Sequence, residues 1–383
     1  MTMNFIPLSI PNIGRQEWEL VRECLETGWV SSVGSFVAKF EEEFAKKVGA
    51  TGAVATSSGT AALHVALKMA GVEAGDEVVL PSLTFIAPAN AVRYLGGWPT
   101  FIDVQEDSLQ MDPSKLASFL EKDCIRVNGV LTNRHTQRRV VGVLPVHILG
   151  HPVNLDPIVS LAEEAGLFVV QDSTESLGAT YKGRMIGSEG VSCFSFNGNK
   201  LITTGGGGMI TFQDKELADR ARYLTTTAKD DPVEFVHNEV GFNYRLTNVQ
   251  AAMGVAQLGR LDEFLSRKKA IRHSYAEGVA ELGTCEMVGE ASWAQSAFWL
   301  NTMRLTDPNT DRKVLHKLLK DVSIETRPLW QPLHMSPAHE GSWFKDCKVS
   351  EVLYKQCLNL PSSTSLTDSD LNRVVSVVKG IFS

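Results

Sequence analysis

VSCFSFNGNKLITTGGGGMI, residues 191–210, holds the most informative arrangement in the 383-residue chain. A strand-like run at 191–196 ends in small polar residues. Lys200 follows, then Thr203, Thr204 and the glycines 205–208, before a second strand-like run at 209–212. A lysine among glycines suggests a phosphate loop, but GxxxxGK[ST] is absent because Leu201 follows Lys200. The bland alternative is a solvated loop lysine. The sharper one is an amine beside a buried ligand, where glycines let the backbone approach closely and the lysine acts as a Schiff-base nucleophile.

Outward from this segment the same alternation recurs. Strand-like runs lie at 77–80, 100–104, 140–148 and 167–172, separated by helical patterns. One helix follows Thr60 as AALHVALKMA. Another opens at Asp156-Pro157, read as an N-cap with proline in the first turn, and a third starts near Lys215. This β/α alternation predicts a mostly parallel sheet covered by helices on both faces. Residues 124–139, polar and basic, read as a solvated excursion. From Asn248 a long helical stretch runs to about Leu282, and mixed signals follow. We therefore expect a large domain over 1–247 and a smaller α+β domain over 248–383, in keeping with the length.

Hydrophobic content of 43%, charged content of 21% and a net charge of −7 describe an ordinary globular chain and argue against a nucleic-acid partner. The amino-terminal residues carry no secretory pattern, and no apolar run is long enough to span a bilayer, so a cytoplasmic protein is expected. The cysteines are scattered without a CxxC pair and read as reduced, buried thiols.

Two further segments carry chemistry. In LFVVQDSTESLGA, residues 167–179, Asp172 directly follows an apolar strand, at the carboxyl edge where open α/β sheets bind ligands. An acid there can serve a metal, a helix cap or a protonated ring nitrogen. No cluster with metal-ligand spacing accompanies it, so no metal is expected. In ATSSGTAALHVALKMA, residues 55–70, Ser58, Gly59 and Thr60 stand where a strand-like run meets a helix start. That junction is either an anion site or a simple cap.

Taken in order, SGTAAL, LTFIAPANAV, LPVHILGHP, QDSTESLGA, FSFNGNK, GGGGMI, GFNYRLTN and TRPLWQPLH resemble the sugar aminotransferases of the DegT/DnrJ/EryC1/StrS family, within the fold-type I enzymes that use pyridoxal 5'-phosphate (PLP). The resemblance spans nearly the whole chain. It implies that Lys200 forms the Schiff base with PLP and shuttles protons when released, and that Asp172 pairs with the pyridine nitrogen. Phe85 would stack on the ring, and Ser195 with Ser58, Gly59 and Thr60 would hold the phosphate. Asn243 would reach the phosphate from a neighbouring subunit, which requires a homodimer.

One position departs from the family. Where glutamine or histidine is usual beside the cofactor's phenolic oxygen, this chain has Glu175. A carboxylate repels a phenolate unless one of them holds a proton, so Glu175 is expected to be protonated or turned away.

The wording FSFNGNK with TESLG and TTGGGGMI resembles a narrower group that makes 4-amino sugars for bacillosamine or legionaminic acid. This implies transfer of an amino group from L-glutamate to C4 of a nucleotide-linked 4-keto-6-deoxy sugar, UDP-linked and 2-acetamido substituted, for bacterial surface glycans. Trp29, Ser31, Arg245, Arg327, Trp330 and His334 are candidate contacts to the nucleotide sugar. His147 and His151 read as satisfied structural histidines. The alternatives are a PLP-dependent sugar dehydratase or lyase on the same fold, and a non-catalytic PLP-binding regulator. Dehydrating relatives have histidine where this chain has Lys200, which favours transamination.

Overall fold

A computed structural model describes residues 4–231, 233–308 and 310–382. Its centre is an eight-stranded sheet. The spatial order is Gly52–Thr56, Gly208–Phe212, Val191–Ser195, Phe168–Asp172, Val140–Val143, Glu77–Pro81, Trp98–Ile102 and Trp343–Phe344. Adjacent strands are parallel throughout, except that Gly208–Phe212 runs antiparallel to both of its neighbours. The carboxyl ends of the strands preceding Ser57, Ser82, Ser173 and Phe196 therefore share one edge with the amino end of Gly208–Phe212.

Period-two alternation divides the strand residues between two cores. Ala53, Ala55, Val79, Phe194 and Met209 join a core with Phe40 and Phe44. Val54, Val78, Leu80, Cys193 and Ile210 join another, with residues of the helices Gly59–Met69 and Lys215–Thr225. Helices thus cover both faces, as the alternation predicts.

A second sheet, all antiparallel, has the order Cys285–Met287, Asn301–Leu305, Cys357–Leu360 and Arg327–Pro328. Its core draws on Ile271 and Tyr275 of one helix and Val374 and Val378 of another. Ile6, near the amino end, completes it and bridges to Ile324.

One local expectation is refined and two are corrected. The 124–139 excursion contains a hairpin, Cys124–Val127 paired with Val130–Asn133. Its turn residues Asn128 and Gly129 have φ of 51° and 83°, as a tight hairpin with an Asn-Gly corner requires. The helix near 156 starts at Leu155 after Asn154, so Asp156 does not cap it. The Asp156 carboxylate instead meets Lys182 at 2.6 Å and Arg184 at 3.3 Å. The long helix from 248 is two helices, Asn248–Gly259 and Leu261–Val279, parted at Arg260. All six cysteines are free and buried.

Candidate active site

Lys200 lies on the connection between two adjacent strands of the large sheet. Its side chain is 13% exposed, and Nζ sits 3.2 Å from Glu175 Oε1. The other Glu175 oxygen accepts the Leu149 N–H at 2.8 Å. Nζ also lies 3.9 Å from the centre of the Trp299 ring. Burial pushes the Glu175 carboxyl above its ordinary value, against the opposing pull of Lys200 and the Leu149 N–H.

Asp172 is buried at the end of Phe168–Asp172, with Oδ1 accepting the Thr174 N–H at 3.0 Å. Burial raises its pKa, while the Thr174 contacts and the Lys200 charge pull the other way. Among the described residues no cation forms an ion pair with this desolvated carboxylate, and a protonated ring nitrogen would supply one.

Ser58 caps the helix Gly59–Met69, its Oγ accepting the Ala61 N–H at 3.0 Å. The cap reading therefore holds for the side chain. The first-turn amides of Gly59 and Thr60 have no acceptor within their own helix and carry the positive end of its dipole. Close packing needs glycine here. A Cβ on Gly59 would stand 2.8 Å from that of Ser195, and one on Gly208 would stand 2.5 Å from the Ser58 carbonyl oxygen.

Lys200, Glu175 and the Ser58–Thr60 turn line a cavity of about 300 Å³, while Asp172 is buried behind its lining residue Thr174 and does not itself line it. Of the expected residues, Ser58, Gly59, Thr60, Ser195, Phe85, Glu175, Lys200 and Trp330 line it. Gly206 and Gly207 of the glycine run line it too, and so do Asn197, Asn199, Thr174 and Trp299, which were not singled out from the sequence. Asn197 and Asn199 were within reach of that reading, since both lie in the NGNK segment. Trp299 carries no local signal.

A glycine-lined anion cradle, an amine, an exposed aromatic face at Phe85 and an unpaired buried carboxylate together fit PLP. Among the described residues no group of His, Cys, Asp or Glu is arranged to hold a metal ion.

Several expected substrate contacts lie elsewhere. Arg245 is tied to Glu41, which also takes Arg222 and the Ala55 N–H, so its guanidinium serves a buried ion cluster. Arg327 pairs with Glu325 at 2.8 Å in a separate depression lined by Phe5 and His316. His334 is nearly buried between Ser82 Oγ at 2.6 Å and Glu351 at 3.3 Å. The carbonyls of Trp29 and Ser31 accept hydrogen bonds from Asn248 at 2.7 Å each, which ties that segment to the start of the helix Asn248–Gly259, and neither residue lines the cavity. Asn243 is exposed and does not line the cavity of its own chain.

His147 and His151 are both satisfied internally. His147 Nδ1 accepts the Val153 N–H at 3.0 Å, so the proton sits on Nε2 and is donated to Gln171. His151 Nε2 accepts the Ala291 N–H at 3.0 Å, and its Nδ1 faces the Pro152 carbonyl at 2.8 Å.

The profile of the DegT/DnrJ/EryC1/StrS aminotransferase family matches residues 11–379. The chain belongs to this family. It is 38% identical over 376 residues to a GDP-perosamine synthase of Caulobacter vibrioides, covering 97% of each chain. It is 36% identical over 382 residues to a GDP-perosamine synthase of Escherichia coli O157:H7, covering 100% of each. Among solved structures, the aminotransferase TlmJ from Streptoalloteichus hindustanus superimposes with a TM-score of 0.88 at 30% identity, covering 98% of each chain. As a member of the DegT/DnrJ/EryC1/StrS family this protein is a PLP-dependent nucleotide-sugar aminotransferase, and its fold is that of the fold-type I PLP transferases. No helix among the described residues is long and apolar enough to cross a membrane.

Proposed function

We propose that this aminotransferase moves an amino group from L-glutamate to C4 of a nucleotide-linked 4-keto-6-deoxy sugar, for surface glycan synthesis in the cytoplasm. The single observation that carries the reading is the Lys200 amine facing a cavity with the Asp172 carboxylate buried at the adjacent strand end. Lys200 would hold PLP through Nζ, Asp172 would face its ring nitrogen, and the amides of Gly59 and Thr60 with Ser195 would hold its phosphate. When bound, PLP supplies an electron sink for a carbanion at the substrate carbon.

The remaining work belongs to side chains of the protein. Lys200 Nζ, freed by the incoming amine, takes the proton from the donor's α-carbon and later returns one to the sugar carbon. Glu175, 3.2 Å from that amine, stays beside the Lys200 ammonium while Lys200 carries the proton between the two transfers. Phe85, Trp299 and Trp330 give the cavity apolar walls that limit water around the amine. Asn243, exposed on its own chain, is proposed to complete the phosphate site of a second subunit in a homodimer. We further propose that the chain divides near 247/248 into a cofactor-binding unit and a smaller unit, with three exceptions: Ile6 packs in the smaller unit's core, Trp343–Phe344 forms the eighth strand of the large sheet, and Ala251, Ala252, Val255 and Leu258 pack with Phe40 in the core of the large sheet.

On the acceptor, the FSFNGNK and TESLG wording supports a UDP-linked 2-acetamido sugar. The GDP-perosamine synthases among the relatives support a GDP-linked sugar as the second reading. Incubating the PLP-loaded protein with glutamate and UDP-, GDP- or dTDP-linked 4-keto-6-deoxy sugars, with amine formation read by mass spectrometry, decides between them. Amination of none of the panel would sink the proposed function, and amination of the GDP sugar alone would replace the UDP reading.

A further inference from the structure

Two lysines that do not touch each other meet through one tryptophan. Trp299 is buried, and it makes three separate contacts. Its ring lies under Lys200 Nζ at 3.9 Å. Its indole N–H donates to the carbonyl of Asn199, the residue immediately before Lys200, at 2.7 Å. Its own carbonyl accepts from Lys268 Nζ at 2.7 Å. Both the backbone before the active-site amine and the amine itself are thus held by a residue nearly a hundred positions away.

Lys268 is an unusual anchor. It is 2% exposed, on the helix Leu261–Val279, and its second partner is the carbonyl of Ser362. Neither acceptor is charged. Lysine is almost never fully buried without a carboxylate, because taking the ammonium out of water is costly. Desolvation alone pushes its pKa down to about 7. An apolar side chain would fill the same volume at no such cost, but it would strip the Lys268 donor from the carbonyls of Trp299 and Ser362.

We propose that Lys268 and Trp299 are positioning residues for Lys200. Lys268 fixes the Trp299 backbone against the Ser362 segment. The Trp299 indole then fixes Lys200 twice, by the hydrogen bond to the preceding carbonyl and by its ring face on the ammonium. The Ser9 hydroxyl, donating to the same Asn199 carbonyl at 3.0 Å, adds a third restraint from the amino-terminal segment. The device ties the lysine to the C-terminal unit, so its reach into the cavity depends on how that unit is seated. This inference rests on Lys200 being the active-site amine.

The test uses the PLP-free full-length protein. Lysines are acetylated in competition with trace acetic anhydride, and the labelling rate of Lys200 is read by peptide mass spectrometry against Lys348, whose side chain is 85% exposed. Loss of the ring face and the indole hydrogen bond in Trp299→Leu should raise the relative rate about threefold or more, the scale of one cation–π contact. Trp299→Phe, which keeps a ring, should fall between. Lys268→Met should raise the rate likewise, and Lys268→Gln, which keeps two N–H donors, should bring it back towards wild type. Unchanged labelling in both Trp299→Leu and Lys268→Met would overturn the proposal. If Lys268→Met does not fold, the Trp299 pair decides alone. The visible absorption of wild-type protein reconstituted with PLP is measured in parallel. Its absence would refute the cofactor assignment and leave the labelling result to stand by itself.

Discussion

Glu175 holds two unlike partners with its two oxygens, the Lys200 ammonium at 3.2 Å and the Leu149 N–H at 2.8 Å. Leu149 sits at φ 62°, in the left-handed region that a leucine adopts only under constraint. One buried carboxyl therefore steadies a strained turn and the active-site amine together. Glu175→Gln keeps an acceptor for the turn and should cost under about 1 kcal/mol. Glu175→Leu strands both donors and should cost about 2–4 kcal/mol. Urea unfolding of the PLP-free protein measures the difference, and equal costs would show that the Leu149 hydrogen bond contributes nothing.

Lys200→Ala removes the amine that the strand connection places at the cavity. Transamination should fall by at least about a thousandfold, within the range that positioned proton transfer and covalent catalysis contribute. The visible band formed with PLP should be missing, and borohydride should fix no cofactor to the chain. Residual activity within tenfold of wild type would mean that another group moves the proton.

His147 supplies a pH signature. Its ring is wholly buried, and burial lowers its pKa to about 4, with a smaller opposing effect from the Gln171 contact and a further lowering from His151. The unfolded chain takes up the proton near 6.5, so between pH 6.5 and 4 it binds more protons than the folded one. Stability from this group is complete above pH 6.5 and is lost progressively as the pH falls towards 4, by about 3 kcal/mol in all. His147→Gln cannot titrate. The gap between wild type and variant in urea midpoint should therefore narrow, or reverse, from pH 7 to pH 4.5. Parallel pH profiles would show that His147 does not stay neutral in the fold.

Two glycines on the same stretch should behave oppositely. A Cβ on Gly208 would press to 2.5 Å from the Ser58 carbonyl oxygen, which is backbone at the start of the helix Gly59–Met69. Nothing lies within 4 Å of the corresponding position on Gly198. Gly208→Ala should weaken PLP retention about tenfold or more and lower stability by about 1–3 kcal/mol, because the clash displaces the anion cradle. Gly198→Ala should stay within about 0.5 kcal/mol of wild type. Equilibrium dialysis of PLP and thermal melts check both.

What the sequence reveals about the site follows a physical boundary. Lys200, Asp172 and the Ser58–Gly59–Thr60 turn each stand where a strand gives way to small polar residues or a helix start, and that transition is local. Trp299 became visible only in three dimensions, because its role comes from contacts with Asn199 and Lys268 rather than from its neighbours in FWLN. The same limit explains Arg245 and His334. Both carry polar groups suited to a nucleotide, but Glu41 in one case, and Ser82 with Glu351 in the other, already engage them. The hairpin at 124–133 is a detail inside a solvated excursion that the sequence did indicate. Its Asn-Gly corner was present in the sequence, and the surrounding polar residues obscured it.

The antiparallel placement of Gly208–Phe212 has a consequence for chain length. Ladders hold both ends of the segment bearing Lys200, at Ser195 opposite Gly208 and at Gly208 opposite Thr56. Adding or deleting one residue between them would either turn a strand's inward side chains outward or drag the amine along the edge. This stretch should therefore tolerate substitutions far better than insertions or deletions. A library that varies its length should return almost no folded, PLP-binding members, while one that varies composition at constant length should return many.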